Sequence, residues 1–267
     1  MKVRTLSVAL VLAIGAAFAE EMPSAAETWK GKTVGFLGDS ITDPNQPNRI
    51  YWQYLQETMG IKAEVFAVSG YSWAQMPRMA EGLKAKCGEK VDAILVFIGT
   101  NDYNGNRPLG DWFTYTNETV NANGLQVLRR RRDLSFDAKT VRGAANLTMR
   151  YLKSNWPKAQ IVLMPPLHRA FARFGANNVQ PPENYSNGLG FFIEDYVRVT
   201  REAADIWSVP VIDLYRDSGL YPMDAAYAQY FRDNGGNDLL HPNSVGHERL
   251  AEIIRLKLLT LPAGYRK

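Results

Sequence analysis

A serine, an aspartate and a histidine lie in two short polar segments of this 267-residue sequence, about 200 positions apart. Ser40 follows Gly38 and Asp39, and Asp238 precedes His241 by three residues. A serine hydroxyl is a weak nucleophile until a base takes its proton. An imidazole is an effective base when a carboxylate holds its other ring nitrogen. Because an aspartate and a histidine three residues apart in a turn can meet, the pattern predicts a Ser40–His241–Asp238 triad.

The same chemistry needs N–H donors for the oxyanion of the tetrahedral intermediate. The backbone N–H groups of Ser40 and Gly70 and the side-chain amide of Asn101 could supply three. A glycine suits a position where the backbone must approach a substrate closely. We therefore expect Ser40, Gly70 and Asn101 to form an oxyanion hole.

These residues follow segments with the pattern of buried parallel strands. Strands are predicted at 33–37, 63–68, 91–98, 160–164 and 210–214, and helices at 50–59, 75–86, 139–154, 188–207 and 244–259. Strands that alternate with helices predict a three-layer α/β/α sandwich, here with a five-stranded parallel sheet. Ligands of such sheets bind at the carboxyl ends of the strands, where the candidate residues fall. No Pro- or Ser-rich linker divides residues 20–267, so we expect one domain.

Residues 103–137 interrupt this alternation with clusters of Gly, Asn and Thr and a run of four arginines, 129–132. The segment has little apolar surface to bury, so we expect an insertion near the active site rather than a second core. The arginines could meet an acidic polymer such as a polyuronate. A solvated charged face is the more common role of such a run.

The N-terminus has the layout of a secretory signal peptide. Lys2 and Arg4 precede an uncharged apolar run over 6–18, and Ala17-Phe18-Ala19 forms an A-x-A cleavage site. The run is shorter than the ~20 residues that a spanning helix needs. We therefore predict cleavage after Ala19, export to the periplasm or beyond, and no stable membrane anchor.

Charge and cysteine content exclude several classes of partner and of stabilisation. Removing the signal peptide takes away Lys2 and Arg4 and no acidic residue, so the formal net charge of +4 falls to +2. A nearly neutral chain implies neither nucleic acid nor an anionic membrane as a partner. Cys87 is the only cysteine, so an intrachain disulfide is impossible.

Four short blocks in order resemble those of SGNH hydrolases, the superfamily of GDSL-type esterases and lipases. They are Gly38-Asp39-Ser40, followed by Ile41-Thr42 in place of the more common leucine, Gly70, Gly99-Thr100-Asn101-Asp102, and Asp238-Leu239-Leu240-His241. The resemblance spans residues 32–260. It implies a flavodoxin-like fold, a Ser-His-Asp triad, a three-donor oxyanion hole and no cofactor. With export, it predicts a serine esterase that hydrolyses small acyl esters, acetyl esters of carbohydrate above all.

Other interpretations use different residues. Gly70-Tyr71-Ser72-Trp73-Ala74 resembles the G-x-S-x-G elbow of α/β-hydrolases, which would make Ser72 the nucleophile. A lipase or arylesterase of the same fold would take a different ester. An inactive carbohydrate-binding relative would use aromatic side chains, of which the candidates are Trp52, Trp73, Trp112, Phe113 and Tyr115. A metal site is not indicated, because His168, Asp43 and Asp213 lack any recognisable ligand spacing.

Overall fold

The computed structural model describes residues 25–233 and 235–265. The predicted signal peptide lies outside these ranges and stays a prediction. Within them, no helix combines the length and the apolar character that crossing a membrane requires.

The secondary structure follows the predicted alternation. The strands are β1 (Thr33–Gly38), β2 (Lys62–Ala67), β3 (Ala93–Phe97), β4 (Phe113–Ala122), β5 (Leu125–Leu134), β6 (Gln160–Met164), β7 (Ala172–Arg173) and β8 (Val179–Gln180). The α-helices are α1 (Ala25–Trp29), α2 (Tyr51–Met59), α3 (Met76–Cys87), α4 (Thr100–Asn104), α5 (Val141–Asn155), α6 (Ile193–Trp207), α7 (Leu214–Asp217) and α8 (Ser244–Leu258). The five predicted helices are α2, α3, α5, α6 and α8. The largest shift is in α6, which begins at Ile193 rather than at residue 188.

The central sheet is parallel, with the strand order β2-β1-β3-β6. Its two faces bury alternate side chains of each strand, as a period of two requires. On β1, Val34 and Phe36 pack into the core beneath α2 and α8, whereas Leu37 packs into the core beneath α3, α5 and α6. Strand β3 is buried along its whole length, as expected for a central parallel strand. The three-layer α/β/α arrangement is confirmed.

The prediction of a fifth strand at 210–214 is wrong. Residues here form a single parallel bridge, Leu163 to Val211, beside β6, and the sheet of the described chain has four strands. Pro210 has no N–H to donate, so it joins the sheet only through its carbonyl, which accepts the Leu163 N–H at 3.1 Å. Helix α7 then begins at Leu214, where Asp213 caps it by accepting the Arg216 N–H at 3.3 Å.

Residues 113–134 form a β-hairpin that the sequence reasoning did not predict. Strands β4 and β5 pair in register from Phe113–Leu134 to Ala122–Leu125, and no residue of either strand is buried. Asn123 and Gly124 turn the chain with φ values of 53° and 83°, as a type I′ turn requires. The base of the hairpin is held by Asn146 of α5, whose amide donates to the carbonyls of Trp112 (3.0 Å) and Ser135 (2.8 Å).

Candidate active site

Ser40, His241 and Asp238 form a continuous hydrogen-bonded chain. The Ser40 Oγ lies 2.9 Å from His241 Nε2, and His241 Nδ1 lies 3.0 Å from both carboxylate oxygens of Asp238. All three residues are buried, with 7%, 8% and 2% of their surface exposed, respectively. Two sequence segments about 200 residues apart therefore meet in the geometry of a nucleophile, a base and an orienting carboxylate.

A tight turn at the end of β1 holds Ser40. The Asp39 carbonyl accepts the N–H groups of Thr42 (3.0 Å) and Asp43 (2.9 Å), and the Asp39 side chain accepts the Ile41 N–H at 3.0 Å. Glycine is required at Gly38, because an added Cβ would lie 2.5 Å from the Thr42 Oγ1 and 2.8 Å from a backbone oxygen. The Gly-Asp-Ser sequence thus turns the chain sharply out of the sheet at Ser40.

The loop before α8 presents the aspartate and the histidine together. Besides the imidazole, Asp238 Oδ1 accepts the backbone N–H of His241 at 3.0 Å and that of Leu240 at 3.3 Å. Burial opposes the charge on Asp238, but its hydrogen bonds with His241 outweigh burial and hold the pKa of this carboxyl below its usual value. Asp238 is therefore ionised at neutral pH and keeps the imidazole oriented through Nδ1.

The three predicted donors follow three neighbouring strands at one edge of the sheet. The backbone N–H groups of Ser40 and Gly70 donate to no group in residues 25–233 and 235–265. The Asn101 amide donates one N–H to the Tyr71 carbonyl at 2.9 Å, which leaves its second N–H for another acceptor. Gly70 has a φ of +83°, and no atom lies within 4 Å of where its Cβ would be. The backbone at Gly70 thus faces open space.

Two buried carboxyls brace this edge. Burial raises the pKa of Asp39 to about 7, and Asp102 adds to that effect. Burial also raises the pKa of Asp102 to about 7. Two neighbours act in the opposite direction and lower this pKa: the Trp73 N–H, which Asp102 Oδ2 accepts at 3.0 Å, and the Arg107 guanidinium at 3.4 Å. Asp102 therefore links the turn after β3 to the loop that carries Gly70.

The chain matches the family model described as GDSL-like Lipase/Acylhydrolase over residues 36–249. The chain belongs to the GDSL-like lipase/acylhydrolase family. The matched range includes all four sequence blocks and the three residues of the predicted triad, and the family resemblance found in the sequence is confirmed. No curated protein matches the sequence closely enough to count as a relative.

Solved structures show the same fold. A protein from Lactobacillus plantarum is 27% identical, with a TM-score of 0.67 over 86% of this chain and 98% of that one. A possible lipase from Chitinophaga pinensis is 18% identical, with a TM-score of 0.61 over 85% and 99%. A salicylyl-acyltransferase from a tetracycline biosynthetic pathway is 16% identical, with a TM-score of 0.57 over 88% and 56%.

The alternative nucleophile has a different environment in this GDSL-family chain. The Ser72 hydroxyl donates to Gln75 Oε1 at 2.9 Å, and the Ser72 N–H donates to the same oxygen. Ser72 therefore caps the 3₁₀ turn Trp73–Gln75. His241 Nε2 instead lies within hydrogen-bond distance of the Ser40 Oγ.

The histidine and aspartates weighed as metal ligands are separated into three sets of partners. His168 pairs with Glu183 at 2.7 Å, Asp43 accepts from Ser69 at 2.8 Å, and Asp213 pairs with Arg201 at 2.8 Å. In the described parts of the chain, no group of three or more His, Cys, Asp or Glu side chains could hold a metal ion.

Aromatic residues considered for sugar binding have mixed environments. Trp73 is fully buried, and Trp52 donates its indole N–H to the Thr42 carbonyl at 3.1 Å. Tyr115 is 51% exposed on the hairpin. These three positions are spread over the core, α2 and the hairpin.

Two side chains around the site, those of Phe174 and Arg169, were missed by sequence reasoning. The Phe174 ring packs edge-on against His241, with centroids 5.2 Å apart. Arg169 is 1% exposed and donates to Thr100 Oγ1 at 3.3 Å, beside Asn101. These side chains reach the site because the backbone of residues 170–173 pairs with the loop that carries Asp238, including the bridge Ala172–Asp238. No local pattern in the sequence indicates that pairing.

Proposed function

We propose that this protein is an exported serine esterase that hydrolyses small acyl esters, acetyl esters of carbohydrate above all. The observation that carries the proposal is the hydrogen-bonded chain from Ser40 through His241 to Asp238. Membership of the GDSL-like family supports the reaction class, since lipases and acylhydrolases both cleave acyl esters.

In the first half of the reaction, the Ser40 Oγ attacks the carbonyl carbon of the ester, and His241 Nε2 accepts the hydroxyl proton. The negative oxygen of the tetrahedral intermediate receives hydrogen bonds from the N–H groups of Ser40 and Gly70 and from the Asn101 amide. His241 then gives its proton to the departing alcohol oxygen as the carbon–oxygen bond breaks, and an acyl-Ser40 ester remains.

In the second half, a water molecule attacks the acyl-Ser40 carbonyl while His241 Nε2 takes its proton. The second tetrahedral intermediate collapses, the Ser40 oxygen recovers the proton from His241, and a carboxylic acid leaves. Asp238 remains an anion throughout and stabilises the imidazolium through Nδ1.

Two features support a small acyl group and a carbohydrate alcohol. Ser40 is 7% exposed and the Phe174 ring lies against the histidine, so space beside the nucleophile is limited. The predicted export would bring the enzyme to polymers that remain outside the cell. The 103–137 insertion, predicted to lie near the active site, would contact the larger part of such a substrate.

Serine labelling tests this function directly. A fluorophosphonate probe should add one phosphonyl group to the wild type, and peptide mass spectrometry should locate it on Ser40. Ser40→Ala should abolish labelling and lower p-nitrophenyl acetate turnover about 10⁴-fold or more.

Ser72→Ala is the matched control, because Ser72 is also a 7% exposed serine after a strand end. It should keep both labelling and turnover. Labelling at Ser72, or more than about a tenth of wild-type turnover in Ser40→Ala, would make the proposed triad wrong. Comparing acetyl, butyryl and octanoyl esters, then acetylated polysaccharides, tests the substrate class.

A further inference from the structure

We propose that the cavity beside the loop after β6 is a subsite for a neutral sugar ring of the substrate. The proposal rests on the carbohydrate esterase function above and names where the alcohol part of the ester binds. The cavity has a volume of about 520 Å³, within the range of small-molecule sites. Its walls include Tyr221, Phe192, Glu183, Glu194 and Arg198.

The strand order places this cavity at the same edge of the sheet as Ser40. Strand β1 leads to Ser40, its neighbour β3 leads to Asn101, and the next strand, β6, leads to His168 four residues after its end. Adjacent strands lie about 4.8 Å apart, so the loop after β6 begins about 10 Å from the end of β1. A substrate with more than one sugar ring that extends from Ser40 along this edge can therefore reach the loop after β6.

Buried polar contacts fix this loop. Arg169 is 1% exposed and joins it to Thr100, next to Asn101. Glu183 is 7% exposed, accepts the backbone N–H of Arg169 at 2.8 Å, and pairs with His168 at 2.7 Å. Hydrogen bonds thus connect Glu183 in the wall of the cavity, through Arg169, to Thr100 beside Asn101.

Aromatic rings give the cavity an apolar surface. The His168 ring lies against Tyr215 in a tilted arrangement with centroids 3.7 Å apart, and the Tyr221 ring packs edge-on against His168 at 5.1 Å. This arrangement holds Tyr221 in place while 47% of its surface stays exposed, and Phe192 is 45% exposed. Fixed, exposed rings suit stacking against the apolar C–H face of a pyranose, since an aromatic side chain loses little freedom on binding.

The charges of the cavity favour a neutral sugar over a uronate. Three carboxylates line it, on Glu183, Glu194 and Asp195, against one guanidinium on Arg198 that pairs with Asp195. Glu194 Oε1 accepts the Tyr215 hydroxyl at 2.9 Å, and within the described chain Oε2 accepts no hydrogen bond. That oxygen can accept a sugar hydroxyl, whereas a sugar carboxylate here would face like charge.

The experiment compares three substrates: p-nitrophenyl acetate, an acetylated xylo-oligosaccharide and an acetylated oligogalacturonide. Tyr221→Ala should lower kcat/KM for the xylo-oligosaccharide relative to p-nitrophenyl acetate about tenfold, mainly through KM. This corresponds to loss of one aromatic contact of about 1.4 kcal/mol. Glu194→Gln should lower the same ratio, and the wild type should prefer the neutral oligosaccharide to the uronide.

Tyr265→Ala is the matched control. Tyr265 is 53% exposed, and its N–H donates to the carbonyl of Lys158, just before β6 begins. Tyr265 therefore lies at the amino ends of the strands, at the edge of the sheet opposite Ser40. This variant should leave both activities and their ratio unchanged. An unchanged ratio in both Tyr221→Ala and Glu194→Gln, or equal use of the uronide, would overturn the subsite.

A binding measurement separates failure of the subsite from failure of the function. Ser40→Ala should bind an unacetylated xylo-oligosaccharide in calorimetry, and adding Tyr221→Ala should weaken that binding about tenfold. This result supports the subsite even if the wild type cleaves none of the esters. Equal binding by Ser40→Ala and by the double variant, or no binding by either, counts against the subsite even if the wild type is an active esterase. Thermal melting of each variant checks that the fold is kept.

Discussion

Replacing Asn101 by alanine should lower kcat for p-nitrophenyl acetate about 10²–10³-fold and leave KM near the wild-type value. The Asn101 amide has two N–H groups, and the Tyr71 carbonyl takes one at 2.9 Å. In the proposed mechanism, the other finds its acceptor only after Ser40 attacks and the carbonyl oxygen becomes an anion. The backbone donors of Ser40 and Gly70 remain, so the variant loses one donor of three. Loss of one such donor costs about 2.7–4 kcal/mol of transition-state stabilisation.

The same substitution removes a bond that joins α4 to the loop after β2. One neutral hydrogen bond is worth about 1 kcal/mol net. For a chain of this size, that shifts Tm by only about 2–4 °C. A folded variant with a large kcat defect is therefore expected, and the two effects are separable by thermal melting.

The assay is steady-state turnover with active sites counted by the p-nitrophenol burst. Asn104→Ala is the control, because Asn104 is another asparagine of α4 and its side chain makes no hydrogen bond within the described residues. It should keep wild-type kcat. Asn101→Asp should be at least as impaired as Asn101→Ala, since a carboxylate would repel the oxyanion. A defect of Asn101→Ala confined to KM, or smaller than tenfold in kcat, would refute the assigned role.

Three further changes test the supports of the site. Gly70→Ala should cost about 1–2 kcal/mol in urea unfolding because of its φ of +83°, and should lower kcat; full activity would show that its N–H is not used. Burial raises the pKa of Asp39 from 3.8 to about 7, so the folded state keeps a proton that the unfolded chain releases. Asp39 thus stabilises the fold fully below pH 4, and that stabilisation is lost by about 1.4 kcal/mol per pH unit as pH rises to 7. In urea unfolding, the free energy of unfolding of Asp39→Asn should fall less between pH 5 and 7 than that of the wild type. The same pH dependence in both proteins would contradict this. Replacing 113–134 by a short Gly-Ser linker should leave a folded protein that cleaves p-nitrophenyl acetate but discriminates less among larger esters; loss of folding, or an unchanged profile across acetylated polysaccharides and longer acyl chains, would contradict it.

The elements that a sequence predicts well are those whose signal is local. The strand predicted at 91–98 is apolar except for Asp92, and the buried β3 spans Ala93–Phe97 within it. Gly60 ends α2 with a φ of 64°. The triad was predictable for a different reason, because acyl transfer restricts residue types tightly enough to identify Ser40, Asp238 and His241 together. Their hydrogen-bonded meeting agrees with that expectation.

The features that sequence reasoning missed depend on competition or on distant pairing. Residues 210–214 are apolar enough for a strand, but Pro210 and the cap at Asp213 shorten it to one bridge. The hairpin had a local signal in Asn123-Gly124, which the polar composition of its strands obscured. Phe174 reaches His241 only through the pairing of residues 170–173 with 237–239, which no local pattern specifies.

The hairpin has a consequence for the solubility of the protein. Both outer edges of β4 and β5 lack a partner strand within the described chain, and such edges can pair with another molecule. Four consecutive arginines, 129–132, occupy the β5 edge, and two of them stack over Tyr115 and Phe113 at about 4 Å. Approach of a second β5 would bring these guanidinium groups against their own copies. The arginine run thus opposes edge-to-edge association, and uncharged replacements there should favour aggregation.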